Sequence, residues 1–595
     1  MQQAVKTEHG SRLTLAGILD WLVEDKMADA EAVAKLKKER RYYRGTMHPL
    51  AIVADQKWKK GTAPLTLDLL AEWLAKRVGM EYLHIDPLKI DFSAVTEIMS
   101  SAYATRFRIL PVAVTPKEAV IATAEPGERE WEPELARIIK REIRRVISNP
   151  LDIERYQVEF YNLAKSIKGA SKSASVSGLS NFEQLVELGK SDKALDANDA
   201  HVVRVVDWLW QYAFEQRASD IHIEPRREQG IVRFRIDGVL HQVYQIPGPV
   251  LAAMTSRIKI LARMDVVEKR RPQDGRVKTK TGSDEIELRI ATMPTAFGEK
   301  LVMRIFDPEV LVRDFTELGF SEDDQKHWKE MTERPNGIVL VTGPTGSGKT
   351  TTLYSTLKSL ATSEVNVCTI EDPIEMIEPA FNQMQVQNAI ELGFAEGVRA
   401  LMRQDPDIIM VGEIRDLETA EMAVQSALTG HLVLSTLHTN DAPSAIARLR
   451  ELGVAPYLLN ATLNGVMAQR LVRTLCPHCK QTVELNRAED QESWDALVAP
   501  WKSKHPAKLH KPVGCLECRM TGFMGRVGIY ETLVVSSQIK SLINANADLA
   551  VLREQAFKEG MKPLRISGAM KVGAGLTTID EVLKVAPPVR DTAAR

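Results

Sequence analysis

Eight consecutive residues combine glycines, a lysine and a threonine at a spacing that suits phosphate binding. They match the pattern G-x-x-x-x-G-K-[ST] at every fixed position and are Gly343, Pro344, Thr345, Gly346, Ser347, Gly348, Lys349 and Thr350. The glycines let the backbone wrap closely round a phosphate, which then faces amide N–H groups and a helix N-terminus. Lys349 is expected to reach the β- and γ-phosphates of a nucleotide, and the Thr350 hydroxyl to hold Mg²⁺. Thr351, the next residue along the chain, completes the predicted nucleotide-binding set.

The residues around this loop predict a strand before it and a helix after it. An apolar run at 338–341 indicates a buried strand, and residues 351–357 indicate a helix. Across 319–475 such strands alternate with helices, which predicts a parallel sheet with crossover helices. The strands are expected near 338–342, 366–370, 408–412 and 432–436. Ligand-binding side chains should then gather where the strands end.

Acidic and imidazole side chains stand at those strand ends. Glu413 follows an apolar run and is expected to polarise the magnesium shell or the attacking water. Glu371 and Glu375 follow the preceding strand, and either is a candidate general base; the sequence does not decide between them, and a solvated acidic turn is the alternative. His438, with Thr436 and Asn440 nearby, is a candidate sensor of the γ-phosphate.

Positive charge for the transition state has three candidates. Arg415 comes two residues after Glu413, whereas Arg289 and Arg304 lie on predicted strands before the phosphate loop. A nucleotide hydrolase that works as a ring places such arginines across the boundary between subunits. The alternative is that they are basic residues on a solvated sheet face.

Four of the five cysteines form two C-x-x-C pairs, at Cys476 and Cys479 and at Cys515 and Cys518. Two such pairs suit the four corners of a tetrahedral zinc site, with a redox dithiol as the alternative. No ligand position is left open for a substrate, so the zinc is expected to be structural. Cys368 stands alone in an apolar run and is expected to be a core residue.

Composition limits the class of protein. The formal net charge is −1, so no global field favours nucleic acid or anionic lipid. Charged residues make up 26% and apolar residues 44%, as in globular proteins. No run of 18 apolar residues is present, and the N-terminus does not resemble a secretory signal. We therefore expect a cytoplasmic protein without nucleic-acid binding, whose membrane contact passes through partners.

Changes in pattern along the chain predict six regions. They are an α+β N-terminal docking or regulatory domain (1–165), a Ser/Gly/Lys-rich flexible linker (166–195), a small α+β domain (196–312), the parallel-sheet core (313–475), the cysteine subdomain (476–518) and a helical C-terminal region (519–595). In the small domain, alternation at 231–236 predicts a hairpin strand whose sheet has one apolar face and one basic, solvated face.

Several strings together resemble the secretion ATPases of type II secretion and type IV pilus assembly. They lie at 217–224, 271–276, the phosphate loop, 371–375, 403–416, 435–440, the four cysteines and 525–531. The resemblance implies an α/β fold in which a PAS-like domain precedes a RecA-like P-loop motor, with Glu413 as the Walker B glutamate and a histidine box at 429–438. It also implies that Arg289 and Arg304 contact nucleotide across a subunit interface.

The same resemblance implies an oligomeric state, a set of cofactors and partners, and a mechanical task. A homo-hexamer would use ATP, Mg²⁺ and Zn²⁺ and sit at the inner membrane through a platform protein and a docking protein on its cytoplasmic face, adding pilin-like subunits to a fibre. Pilus retraction, DNA transfer and a nucleotide-gated scaffold without turnover are the alternatives. The sequence leaves open which fibre system is served and whether the N-terminal domain binds a cyclic dinucleotide.

Overall fold

The computed structural model describes residues 12–38, 47–60, 63–85, 90, 92–170, 196–227, 229–281, 284–306, 313–484, 488–501, 504–515 and 517–587. The chain divides into two compact units, Met1–Val277 with Arg289–Arg304, and Lys278–Leu288 with Ile305–Arg595. Most of the predicted linker 166–195 lies outside the described residues. Its first five residues are helical instead, because no glycine or proline interrupts that helix between its first residue and Gly169.

The first unit opens with helices that precede and flank a four-stranded sheet. The helices are α1 (Leu15–Glu24), α2 (Ala30–Lys37), α3 (Pro49–Asp55), α4 (Leu67–Val78), α5 (Phe92–Glu97), α6 (Ser101–Phe107), α7 (Trp131–Ile139) and α8 (Pro150–Ala170). The strands are β1 (Lys59–Lys60), β2 (Ala63–Pro64), β3 (Glu81–Tyr82), β4 (Ile109–Val114), β5 (Glu118–Thr123) and β6 (Glu142–Ile147). Strands β1 and β2 pair with each other in a separate two-stranded sheet, and the other four form the sheet in the order β3-β6-β5-β4. The mixed α+β character predicted for this region is confirmed.

The following region is a second α+β domain. Its elements are α9 (Ala200–Glu215), β7 (Asp220–Pro225), β8 (Gln229–Ile236), β9 (Val239–Pro247), α10 (Gly248–Leu261), β10 (Gln273–Thr281), β11 (Asp284–Thr295) and β12 (Gly298–Phe306). They form a six-stranded sheet in the order β10-β11-β12-β7-β8-β9, so the predicted hairpin is confirmed.

The prediction that one face of this sheet is simply basic is wrong. Strand β7 places Asp220 and Glu224 among the arginines, because residues two apart on a strand share a face. Arg233 donates to Glu224 at 2.6 Å, and Arg304 donates to Asp220 at 3.1 Å. Burial raises the pKa of Glu224, but hydrogen bonds from Arg233 and Lys300 outweigh it and lower that pKa to about 2. The face is therefore charge-paired.

The second unit is built round a seven-stranded sheet. The strands of this unit are β13 (Gly337–Thr342), β14 (Val367–Glu371), β15 (Phe381–Gln385), β16 (Ile408–Val411), β17 (Leu432–Leu437), β18 (Leu463–Leu475), β19 (Gln481–Glu484), β20 (Lys508–Lys511) and β21 (Phe523–Val534). Strands β19 and β20 pair with each other in a separate two-stranded sheet, and the other seven form the large sheet. The sheet order is β15-β14-β16-β17-β13-β18-β21, with β18–β21 antiparallel and the other neighbours parallel. All four predicted core strands are confirmed.

The helices of this unit cover both faces of the sheet. They are α11 (Phe315–Leu318), α12 (Glu322–Thr332), α13 (Lys349–Leu360), α14 (Phe394–Leu401), α15 (Leu417–Leu428), α16 (Ala442–Glu451), α17 (Pro456–Thr462), α18 (Ala488–Val498), α19 (Ser537–Asn544), α20 (Leu549–Lys558), α21 (Leu564–Gly573) and α22 (Ile579–Val585). Alternate residues of β13 face opposite cores: Ile338 and Leu340 belong to one, and Val339 and Val341 pack with α13 in the other.

The description of residues 519–595 as a helical region needs correction. Strand β21 pairs with β18 along its length and completes the core sheet. Its apolar pattern is broken by Gly525, Arg526, Gly528 and Glu531, so the periodicity of the sequence does not predict a strand here. The cysteine region is thus inserted between two neighbouring strands. Its helix α18 shares a core with α21 and α22 through Trp494 and Leu497.

Candidate functional site

The phosphate loop begins where β13 ends and is tied to the end of β17. The Thr342 hydroxyl donates to the Leu437 carbonyl at 3.1 Å and accepts from the Thr439 amide at 2.8 Å. Gly346 and Gly348 have φ of +78° and +87°, left-handed conformations that favour glycine. A Cβ on Gly343 would lie 2.6 Å from the Gln469 carbonyl oxygen, so the loop also packs too closely on β18 for a side chain there.

Lys349 points back into its own loop. Its Nζ donates to the carbonyl oxygens of Gly343 at 2.8 Å and Pro344 at 3.2 Å. Burial, and to a smaller extent the charge of Arg470, outweigh the opposing charge of Glu413 and lower the pKa of the Lys349 ammonium to about 8. The Ser347 hydroxyl is buried and has no hydrogen-bond partner in the structure. A glycine cradle, an ammonium and an unpaired buried donor fit an incoming phosphate.

The predicted magnesium residues and the outer loop residues also lie here. Thr350 and Thr351 are half-buried in the first turn of α13, whereas Pro344, Thr345 and Gly346 are exposed. Glu413 follows β16, and its carboxylate charge raises the pKa of Lys349, so the two groups interact directly through space. Hydroxyl and carboxylate oxygens are ligands that Mg²⁺ accepts, so Thr350 and Glu413 fit the ion.

Glu413 lies between two positive or imidazole side chains. It forms an ion pair with Arg415, and its Oε2 lies 3.4 Å from Nε2 of His438. The backbone beside it is held by both neighbouring strands: the Gly412 amide donates to Ile370, and the Thr436 hydroxyl donates to the Gly412 carbonyl at 2.8 Å. The structure thus brings three predicted site residues, Glu413, Arg415 and His438, together.

The two candidate bases have different surroundings. Glu371 is buried and accepts hydrogen bonds from the Tyr354 hydroxyl at 2.6 Å, the Thr369 hydroxyl at 2.7 Å and the Gln383 amide at 3.2 Å. Burial and the Glu371 charge raise the pKa of Tyr354, which keeps this hydroxyl a donor. Glu375 is half-buried in the loop that follows β14. Tyr354 lies on α13, so Glu371 anchors the phosphate-loop helix.

The remaining predicted arginines lie in the first unit. Arg289 is on β11, and Arg304 is on β12 with its side chain 63% exposed and paired with Asp220. Their action on a nucleotide stays a prediction.

Three residues of the site were missed by sequence reasoning. Tyr354 anchors Glu371, the Gln469 side chain accepts from the Thr352 hydroxyl at 2.9 Å, and the Arg470 guanidinium lies against Gly343. The available signal was the pair of polar residues in the middle of the otherwise largely apolar strand β18. Parallel pairing of Thr342 with Ala468 carries that pair to the level of the loop.

The four paired cysteines converge on one point. Their sulfur atoms all lie within 4.8 Å of one another, with Cys476–Cys515 and Cys479–Cys518 at 3.8 Å and Cys515–Cys518 at 3.7 Å. A tetrahedron with Zn–S bonds of about 2.3 Å has edges of about 3.8 Å, so the set fits zinc. Amides of Gly514 and Gly522 point at the sulfurs of Cys479 and Cys518, which suits thiolates. Cys368 is buried apart from them.

Comparison with known proteins agrees with this geometry. The family model described as type II/IV secretion system protein matches residues 196–584, and the MshEN domain model matches residues 78–167. The chain is 54% identical over 547 residues to the type IV pilus assembly ATPase TfpB of Acinetobacter baylyi, covering 91% of this chain and 92% of that protein.

Two further relatives carry related names. The type IV pilus assembly ATPase PilB of Myxococcus xanthus is 39% identical, over 96% of this chain and 98% of its own. The type II secretion system ATPase E of Vibrio cholerae is also 39% identical, over 78% of this chain and 86% of its own. Among the described residues, no helix is both long and apolar enough to cross a membrane. With a phosphate loop, a strand-end glutamate and this extent of similarity, the chain belongs to the type II/IV secretion system protein family and is an ATPase.

Proposed function

We propose that this ATPase assembles a type IV pilus. The observation that carries the proposal is the extent of similarity to pilus assembly ATPases, which covers 91% and 96% of the chain. The type II secretion relative from Vibrio cholerae is matched over 78% of the chain. Assembly of a secretion pseudopilus is therefore the second candidate.

For the chemistry, we assign the phosphate loop (residues 343–351) to the phosphates of ATP. Thr350 and Glu413 would hold Mg²⁺, whose charge neutralises the β- and γ-phosphate oxygens. Lys349 leaves its loop carbonyls and binds the phosphate oxygens, while His438 faces the γ-phosphate from the end of β17. Arg415 holds the Glu413 carboxylate in place through their ion pair.

We assign the general base to Glu375. Glu371 is buried and accepts three hydrogen bonds, so water has little access to its carboxylate, whereas Glu375 is only half-buried and can be reached by solvent. Glu371 then serves as a positioning residue that keeps α13 and its phosphate loop in place.

The oligomer and its partners belong to the same proposal. The chain acts as a homo-hexamer at the cytoplasmic side of the inner membrane, held there by a platform protein and a docking protein. Arg289 and Arg304 of one subunit stabilise the transition state in the neighbouring subunit, where such an arginine is worth about 10³-fold or more in rate. A structural Zn²⁺ occupies the site of Cys476, Cys479, Cys515 and Cys518. A net charge of −1 gives a DNA-transfer motor no support.

The experiment uses the bacterium that encodes this chain, with the chromosomal gene changed to Lys349→Ala. The matched control is Lys358→Ala on the same helix, whose ammonium pairs with Glu378 instead of facing the loop. We expect Lys349→Ala cells to lose surface pili, as counted by electron microscopy, and to secrete extracellular proteins normally.

The other outcomes identify the alternatives. Surface fibres that accumulate would indicate a retraction motor, and lost secretion with intact pili would indicate the type II system. In the purified protein, equal near-zero phosphate release from the parent and Lys349→Ala would indicate a scaffold that binds nucleotide without turnover.

A further inference from the structure

Arg470 places a buried guanidinium directly behind the phosphate loop. Because β18 runs parallel to β13 up to the pairing of Thr342 with Ala468, the next residues of β18 lie beside the loop. Nη1 of Arg470 is 3.1 Å from the position that a Cβ on Gly343 would occupy. Arg470 is only 7% exposed. A charge buried to this degree is costly unless acceptors surround it.

The same guanidinium also holds the segment after β17. Its Nη2 donates to the Asn440 carbonyl at 3.0 Å and to the Asn440 side-chain oxygen at 3.3 Å, and its Nη1 donates to the Gln469 carbonyl at 3.0 Å. One planar fork therefore joins the strand beside the loop to the segment that carries His438. The compact ammonium of a lysine has no fork with which to span these acceptors in the same way.

Two acidic residues lie near this charge and fix the helix that follows. Glu531 lies on β21 and pairs with Ala468 of β18. Its Oε1 accepts a hydrogen bond from the Ala442 amide at 2.8 Å. Asp441 caps α16 by accepting the Ser444 amide at 2.8 Å. Burial lowers the pKa of Arg470, and the charges of Glu531 and Asp441 oppose that shift. The start of α16 is thus held on the same side of the sheet as the guanidinium.

From this geometry we infer that Arg470 is a positioning residue for ATP cleavage, which keeps residues 438–440 in register with the phosphate loop. The inference rests on the proposed nucleotide site and deepens it. Arg470 acts through Asn440 and the loop backbone, and it is not assigned a contact with nucleotide. Displacing a reacting geometry by about 1 Å can cost about 100-fold in rate, so loss of this tie should appear in kcat.

The test compares Arg470→Lys with Arg473→Lys in the full-length protein. Arg473 lies three residues further along β18 and donates two hydrogen bonds to Glu581, at 2.6 and 2.8 Å, so its replacement removes a similar fork elsewhere. We expect Arg470→Lys to lower kcat by about 10- to 100-fold while KM for ATP changes by less than about threefold. Arg473→Lys should lower Tm about as much as Arg470→Lys does, but it should keep the parental kcat.

A second variant avoids a buried position. The Asn440 side chain is exposed, so Asn440→Ala removes one acceptor without disturbing a core. If Arg470 acts through Asn440, the double variant Asn440→Ala/Arg470→Lys should be no slower than Arg470→Lys alone. The inference is overturned if Arg470→Lys keeps kcat within about twofold of an active parent, or if Arg473→Lys lowers kcat as much as Arg470→Lys does. It is also overturned if the losses of kcat caused by Asn440→Ala and by Arg470→Lys multiply in the double variant. A parent without any ATP hydrolysis would instead overturn the proposed function.

Discussion

Lys349 donates to the carbonyl oxygen of Gly343 across 2.8 Å, so the phosphate loop is closed on its own lysine. To bind a nucleotide, the ammonium must exchange two loop carbonyls for anionic oxygens. Burial of the free site is the main reason why the pKa of Lys349 is lowered to about 8. Phosphate oxygens stabilise the charged form and raise that pKa again.

Nucleotide binding should therefore take up a proton near pH 9 and none near pH 6.5. At pH 9 the free site is mostly neutral and becomes charged on binding, whereas at pH 6.5 it is already charged. The measurement is isothermal titration calorimetry of a non-hydrolysable ATP analogue in two buffers with different ionisation enthalpies. Lys349→Arg, whose guanidinium stays charged, is the control and should show no buffer dependence. A parent without buffer dependence at pH 9 would contradict the assignment.

The two carboxylates after β14 should separate kinetically. If Glu375 is the base, Glu375→Gln lowers kcat by about 10²- to 10⁴-fold with little change in nucleotide affinity. Glu371→Gln disturbs the hydrogen bonds to Tyr354 and Thr369, so its main effect should be a lower Tm. Steady-state kinetics and thermal unfolding of both variants decide the matter. A larger loss of kcat in Glu371→Gln, at unchanged Tm, would reverse the roles.

Glu531 should make stability depend on pH. Burial raises the pKa of Glu531 to about 7 against the hydrogen bond from the Ala442 amide. Between about pH 4.5 and 7 the folded protein keeps a proton that the unfolded chain has lost, so stability falls as pH rises through this window. The Tm of Glu531→Gln relative to the parent should thus be higher at pH 8 than at pH 5.

Glu581 supplies the matched control for that measurement. Burial raises its pKa, but Arg473 and Lys584 outweigh this and lower the pKa to about 2. Glu581 is then ionised in both folded and unfolded chains above about pH 5.5, so the Tm offset of Glu581→Gln should be constant from pH 5.5 to 8. A constant offset for Glu531→Gln over the same range would count against the buried-acid account.

The cysteine cluster should hold about one zinc ion per chain, measured by elemental analysis of the purified protein. Cys518→Ser should lose most of that zinc and lower Tm, because the inserted region shares a core with α21 and α22. Cys368→Ser, at the separate buried cysteine, should keep the zinc. A parent with four reactive thiols and no zinc would refute a structural metal.

The site was predictable where short stretches of sequence carry it. The phosphate loop, the four core strands and the strand-end Glu413 follow from local patterns of glycine, apolar runs and acids. Tyr354 and Arg470 were not predictable in this way, since their partners Glu371 and Asn440 lie 17 and 30 residues away and meet them only through the sheet order. Strand β21 was not predicted, because glycines and charged residues interrupt its alternation of apolar and polar residues. Its partner strand β18 is also separated from it in sequence by the cysteine region.

The central claim is that neighbouring subunits share each ATP site, and mixing two inactive variants tests it most directly. Lys349→Ala removes the loop side of a site, and Arg304→Ala removes the side proposed to come from the neighbour. In rings assembled from an equal mixture, about one interface in four pairs an intact loop with an intact arginine. We predict that phosphate release by the mixture rises well above the sum of the separate variants. Release equal to that sum, or a fully active Arg304→Ala protein, would contradict the account.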